Sequence, residues 1–457
     1  MTVAIGIEPP SYDGFNFEAF VRSSNGASDL PAYTRRPTPP PTTREPRNFT
    51  FQLKNRSGVS WGSITIQGDP RLTKLLPTIL EGSELTGSVQ LKLRTTQAIQ
   101  AVCVIVKGEI VGGAPGSVPQ KFLDIKHVLW TAADGDPNSP GSILAGSKLN
   151  GLKLKGDYSW PFNIAIPPEI SHGGETYRLP HSLLDKSTLC SIRYTTELRV
   201  VRGKLRPDDK LQCPFAYFSM RQPSSPSSLR MLAYQENSPL LGPDADPEGW
   251  QSFPLTIKAI LFASRVVEIK LSFSLAKPLC YTRSGSIPCA MTIETSDTQA
   301  MDLLAVPSVP LVYLERTTKE FDEGYRTMTE PCGQAVFWPS TSGSSDSTIP
   351  NQRCLMGEIH LRNDLSPSSA VLGFAVEYAV VVFPFQAVGF KPMDDGKPIL
   401  KESVEITTRY APGPRQQTYS PPAYEGRNWA VDQYYYHLVI QRAVSGNRPR
   451  GRGGRGP

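Results

Sequence analysis

From Val267 to Leu275 apolar and polar residues alternate without a break. Val267, Ile269, Leu271, Phe273 and Leu275 fall on one side; Glu268, Lys270, Ser272 and Ser274 fall on the other. A helix would scatter the five apolar side chains around its circumference. A strand sends successive side chains to opposite faces and so lines all five against a core. A stretch of this kind cannot be stable alone and demands further strands and a second layer.

The rest of the chain supplies them. Phe49, Phe51 and Leu53 alternate with polar residues, and in 88–94 Val89, Leu91 and Leu93 oppose Gln90, Lys92 and Arg94. The run 98–106 is almost wholly apolar, as in a central strand, and 158–166 and 191–201 are further candidates. Gly, Pro, Asn and Asp gather between them, as in DGDPNSPGS, and such clusters are turn signals. After Val267–Leu275 come strand candidates at 287–294, 309–317, 354–363, 371–384 and 403–410, with a Ser-rich surface loop expected over 333–352. No helical period stands out. Many short strands with turns between them predict an all-β chain of two tandem antiparallel β-sandwiches.

The 457 residues suit two domains with tails. Residues 1–47, containing PTPPPTT, have few aliphatic side chains to bury and read as a disordered N-terminal tail. The first sandwich is expected over 48–220. A polar, Pro-rich linker follows at 221–252, then a second sandwich at 253–410. Residues 411–457 are expected to form a disordered, Pro-rich and Arg/Gly-rich tail ending in RPRGRGGRGP. Within it Trp429–Val444 is an apolar island whose secondary structure the pattern leaves open.

The net charge of +6 is concentrated at the end, where Arg442, Arg448, Arg450, Arg452 and Arg455 have no acidic neighbour. The body is close to balanced, which argues against a nucleic-acid-binding core. Seven cysteines without a CxxC pair suit buried thiols in a reduced, cytoplasmic chain. A Cys332–Cys354 link is the alternative. The opening MTVAIGIEPP lacks the basic and apolar regions of a secretory signal. The most apolar run, 371–385, is interrupted by Glu377 and falls short of the ~20 residues a spanning helix needs.

The sharpest local signal is Pro-Pro-x-Tyr. It occurs at Pro9-Pro10-Ser11-Tyr12 and at Pro421-Pro422-Ala423-Tyr424, with a looser relative at Leu30-Pro31-Ala32-Tyr33. A chain of this composition contains about 0.15 such motifs by chance. Proline pre-sets the polyproline II backbone, whose three residues per turn align the first Pro and the Tyr on one edge. The prolines can then enter an aromatic groove while the Tyr fills the pocket beside it, as WW domains require. Pro9, Pro10, Tyr12, Pro31, Tyr33, Pro421, Pro422 and Tyr424 are therefore the candidate WW contacts.

Four stretches resemble the arrestin family, and more closely the fungal α-arrestins. LEGSELTGSV at 80–89 is similar to the family's early G-x-x-x-x-G-x-V hairpin. Tyr158-Ser159-Trp160-Pro161-Phe162 with Ile166-Pro167 resembles its Y-x-F-P-F … L-P strand. Leu179-Pro180-His181-Ser182 followed by Ile192-Arg193-Tyr194 looks like its L-P-x-S … I-x-Y segment. Val267–Leu275 with Pro278 and Ile287-Pro288 is similar to the opening of the second arrestin domain. The resemblance spans most of 48–410. It implies arrestin N- and C-terminal domains and an adaptor that binds cytosolic regions of membrane transporters or receptors. Through PPxY motifs such an adaptor recruits a WW-domain HECT ubiquitin ligase, and cargo ubiquitination and endocytosis follow. The chain would be a cytoplasmic monomer drawn to plasma membrane and endosomes by its cargo. The charged polar core and clathrin-binding tail of the visual and β-arrestins have no clear match here.

A basic strand face offers itself to acidic or phosphorylated cargo: Lys92, Arg94, Lys107, Lys153 and Lys155. A solvated face is the plainer account of the same residues. The histidines at 127, 172, 181, 360 and 437 are scattered, and no HExxH, GxSxG or phosphate-binding glycine loop is present. No enzyme, cofactor or small-molecule substrate is expected. Two alternatives remain: RNA binding through the Arg/Gly-rich tail, and a retromer-like cargo-sorting scaffold without a ligase.

Overall fold

The computed structural model describes residues 46–69, 75–114, 116–139, 153–185, 188–203, 206–322, 324–340, 351–393 and 397–424. Twelve strands form the first half: β1 (Arg47–Lys54), β2 (Ser60–Gly68), β3 (Thr78–Leu80), β4 (Glu84–Ala98), β5 (Ala101–Val111), β6 (Gln120–Thr131), β7 (Lys153–Ala165), β8 (Glu169–His172), β9 (Glu175–Arg178), β10 (Leu183–Leu184), β11 (Ser191–Val201) and β12 (Asp209–Phe218). They make a four-stranded sheet, β1-β2-β4-β7, and a sheet ordered β3-β12-β11-β5-β6 with β10 beside β11; β8 and β9 pair as a separate hairpin. Ile64, Ile66, Leu85, Val89 and Leu91 from one sheet and Val102, Val104, Val106, Tyr194, Leu198 and Val200 from the other are all buried. These are the inward faces of the alternating patterns, packed as a sandwich core.

Helix α1 (Ser228–Glu236) follows, then β13 (Trp250–Leu261), β14 (Arg265–Ala276), β15 (Cys280–Thr282), β16 (Ser286–Glu294), helix α2 (Thr298–Leu304), β17 (Leu311–Asp322), β18 (Gly324–Pro339), β19 (Gln352–His360), β20 (Ser369–Val371), β21 (Phe374–Phe383), β22 (Phe390–Pro392) and β23 (Leu400–Thr407). Ten of these strands run β15-β23-β21-β17-β18-β19-β16-β14-β13-β22, with β20 beside β21. One strand turns this long sheet into two layers. From Gly324 to Gln334 β18 pairs with β17; from Ala335 to Pro339 it pairs with β19. Strands that change partners in this way make the corners of a sandwich. At the crossing, a side chain on Gly333 would press into Ile359. Pairing is antiparallel except for the short β3–β12 and β15–β23 contacts.

β14 carries the alternation of Val267–Leu275 into the core. Val267, Ile269, Leu271, Phe273 and Leu275 are buried and Glu268 and Lys270 exposed, while Ser274 is buried against the Ser252 hydroxyl at 2.8 Å.

The two sandwiches meet around Ser219–Arg221. Glu81 accepts from the Met220 amide (2.7 Å) and the Ser219 hydroxyl (3.2 Å). From the second sandwich, the Thr408 hydroxyl donates to Ser219 O (2.5 Å) and the Arg409 amide to Arg221 O (2.9 Å). His181 Nδ1 accepts from the Ser219 amide, its ring edges onto Phe218, and Arg283 of the second sandwich stacks over that Phe218. Burial, aided by the Arg283 charge, pulls the His181 pKa down to about 4. The imidazole is therefore neutral at pH 7.

Two expectations need correction. The stretch 221–252, expected as a linker, contains α1, capped by Ser227 and ended by a left-handed Asn237. The sequence hides this helix because its buried face is Arg230, Ala233 and Tyr234, with a charge where an aliphatic residue would mark the period. Arg230 is buried because its guanidinium reaches Lys277 O (2.6 Å) and Gly249 O (2.5 Å) and lies over Trp250. The 333–352 loop is shorter than expected, since β18 continues to Pro339; 341–350 lie outside the described residues. All seven cysteines are free, as the reading of unpaired thiols expects, and the alternative Cys332–Cys354 link is not formed.

Candidate functional site

The tail beginning at 411 is expected from composition to be disordered, yet its first part, 411–424, lies along the second sandwich as a strap. Gln416 Nε2 donates to the backbone oxygen (2.6 Å) and hydroxyl (2.9 Å) of Ser286, and Gln417 Nε2 donates to Tyr234 O on α1 (3.2 Å). The Tyr419 ring stacks on Tyr234, centroids 6.2 Å apart. The strap is also held by its backbone. Glu358 of β19, 1% exposed, accepts from the Ser420 amide at 2.8 Å and the Tyr419 amide at 3.2 Å. His360 Nε2 lies 3.0 Å from the hydroxyl of Ser420, which is itself buried. A carboxylate taken out of water needs donors, and two adjacent amides of the strap provide them, with the Ser286 hydroxyl adding a third at 3.2 Å.

The strap ends in Pro421-Pro422-Ala423-Tyr424. Pro421 is half-buried; Pro422, Ala423 and Tyr424 are exposed. Residues Pro422–Tyr424 form one turn of 3₁₀ helix, closed by the Tyr424 amide on Pro421 O at 2.9 Å. Glu358, His360, Ser286 and Tyr234 are neighbours of this motif that the sequence does not announce. The signal available is weak: three polar groups within strands otherwise built to bury apolar side chains. The motif residues Pro9, Pro10, Tyr12, Pro31 and Tyr33 lie outside the described residues, as does the Arg/Gly-rich terminus.

Of the five basic residues expected to share a face, the fold brings four together. Lys92 and Arg94 on β4 and Lys153 and Lys155 on β7 are exposed on neighbouring strands, opposite the buried Leu91, Leu93 and Leu154. Asp157 sits directly across from Lys92 in the register and tempers the charge. Lys107 is not part of this face. It belongs to β5 in the other sheet, and its ammonium is 2.6 Å from Glu197, which also holds Arg199.

Among the described residues no group of three or more His, Cys, Asp or Glu side chains is arranged to hold a metal ion. No helix there is long and apolar enough to cross a membrane. The chain matches no protein-family model and no curated protein.

Proposed function

We propose that the protein is an adaptor of the α-arrestin type. It brings a WW-domain HECT ubiquitin ligase to cytosolic regions of membrane transporters or receptors and so promotes their ubiquitination and endocytosis. The observation that carries this reading is the placement of Pro421-Pro422-Ala423-Tyr424 just beyond a two-sandwich body, with Tyr424 40% exposed. A ligand for a WW domain must offer a tyrosine ring and adjoining prolines at a surface. A second copy of the motif near the N-terminus would let a ligase with several WW domains engage both ends, multiplying two weak contacts. The body is the cargo-holding part, and the Lys92, Arg94, Lys153 and Lys155 face is its candidate for acidic or phosphorylated cargo tails.

The test is calorimetric titration of the full-length chain with a tandem pair of WW domains of the PPxY-binding class. Binding should fall at least about tenfold when Tyr12→Ala and Tyr424→Ala are combined. Unchanged affinity in the double variant would exclude the adaptor reading.

A further inference from the structure

The docked strap and a bound WW domain make incompatible demands on the same four residues. In polyproline II each residue advances about 3.1 Å, so the first Pro and the Tyr of the motif lie about 9 Å apart along the axis. A 3₁₀ turn advances about 2.0 Å per residue, for about 6 Å over the same three steps. The Tyr424 amide bonded to Pro421 O therefore holds the motif short. Pro421 is half-buried, so part of its ring surface is closed to a groove while the strap is docked. We propose that docking of the strap withholds this motif, and that Glu358 is the latch: a WW domain can bind only when residues 419–424 leave the sandwich. The inference rests on the reading of Pro421–Tyr424 as a WW ligand.

The latch is built for reversible release. Its strongest contacts are backbone amides on one buried carboxylate, so removing the strap strands Glu358 without two of its donors and all of that cost falls on a single event. Working the other way, the Tyr419 hydroxyl is buried with no hydrogen-bond partner among the described residues. An unpaired buried hydroxyl disfavours the docked state. The ring is held by stacking on Tyr234, yet its polar end would be better hydrated outside. The two states thus compete, and the apparent affinity for a WW domain is the intrinsic affinity reduced by the fraction of released strap.

The experiment uses the full chain with Tyr12→Ala and Tyr33→Ala, so that only the motif at 421–424 reports. A recombinant WW domain of the PPxY-binding class is titrated against this chain and against a free peptide of residues 414–428. The peptide should bind at least about tenfold more tightly than the chain. Glu358→Leu removes both acceptor oxygens at similar volume, leaving the Tyr419 and Ser420 amides without their partner, and should bring the chain close to the peptide. Gln416→Ala, on the strap itself, removes the Ser286 contacts without altering the core and should shift affinity in the same direction. Equal affinity of chain and peptide would overturn the latch, as would a peptide advantage that neither variant diminishes. A peptide that fails to bind at all would instead sink the WW reading, independently of the latch.

Discussion

Asp185 of the first sandwich and Arg316 of the second are joined by a 2.6 Å ion pair whose carboxylate is 2% exposed. Thr188 donates to the same carboxyl through its amide (3.1 Å) and hydroxyl (2.6 Å), and Glu330 holds Arg316 from its own side at 2.7 Å. Gly113 lies alongside: its amide donates to Glu320 of the second sandwich at 2.9 Å, and a side chain there would run into the carbonyl of Thr188. The two sandwiches are thus locked by buried charge as well as by the contacts around Ser219. Removing one member of such a pair leaves the other poorly compensated. Asp185→Ala should lower unfolding free energy by about 3 kcal/mol, at the low end for buried pairs because Glu330 still serves Arg316. Denaturant titration measures this, and a change below about 0.5 kcal/mol would show the pair to be idle.

Burial alone would raise the Asp185 pKa, but the Thr188 hydrogen bonds and the Arg316 charge outweigh it and hold the carboxyl below its ordinary value. His181 is also depressed, through burial. Both groups therefore stabilise the fold above their unfolded values and lose that contribution as pH falls. The His181 window lies between its ordinary 6.5 and its folded value of about 4. Urea midpoints should decline across it. In His181→Gln, which cannot take up the proton, that part of the decline should flatten while the acid limb from the carboxylates remains.

Cys103, Cys190, Cys213, Cys289 and Cys332 are buried, and burial pushes Cys190, Cys213 and Cys332 up to about 12. The thiolate is the reactive form. At a pH of about 7.5, iodoacetamide should therefore spare these five in the native chain and also Cys280, which burial likewise pushes up to about 12, modify the partly exposed Cys354 first, and reach all seven only in denaturant. Mass spectrometry of the labelled chain reads the order directly.

Arg230→Met keeps an aliphatic stem but removes the guanidinium that lies over Trp250 and leaves Lys277 O without its 2.6 Å bond. The loss should be about 2 kcal/mol, the cost of an unpaired buried carbonyl plus the charge-assisted bond. Arg230→Lys should restore part of it. Identical stabilities for the two variants would assign the residue's contribution to its aliphatic stem.

Reversal of the basic face, with Lys92→Glu, Arg94→Glu and Lys155→Glu combined, should leave the melting temperature within a few degrees, since the side chains are exposed. It should abolish binding of an acidic or phosphorylated cargo peptide, measured by fluorescence anisotropy at two ionic strengths. Lys107→Ala should instead cost stability, because it strips a cation from the buried Glu197.

The strands are legible because burial on one face writes a period of two into the chain, and β14 preserves it from Val267 to Leu275. Helix α1 is hidden because Arg230 occupies its buried face and prolines surround it. The Pro-Pro-x-Tyr motif is legible as composition but not as conformation. Proline fixes φ near −65°, a value that polyproline II and 3₁₀ share; ψ separates them, and here it is decided by contacts of the strap. Those contacts join Ser420 to Glu358, two residues far apart in sequence, through a backbone amide that carries no trace of its partner in the sequence. Bonds of this kind leave the residue type at the donor position open.

The long strand β18 belongs to both layers of the second sandwich. A slip by one residue against β17 would drag the Ala335–Pro339 segment out of step with β19, turning Phe337 from the interior toward water. Neither layer can err in alignment alone. The second sandwich should therefore melt in a single cooperative transition, with amide protons of β17 and β19 exchanging at matched rates.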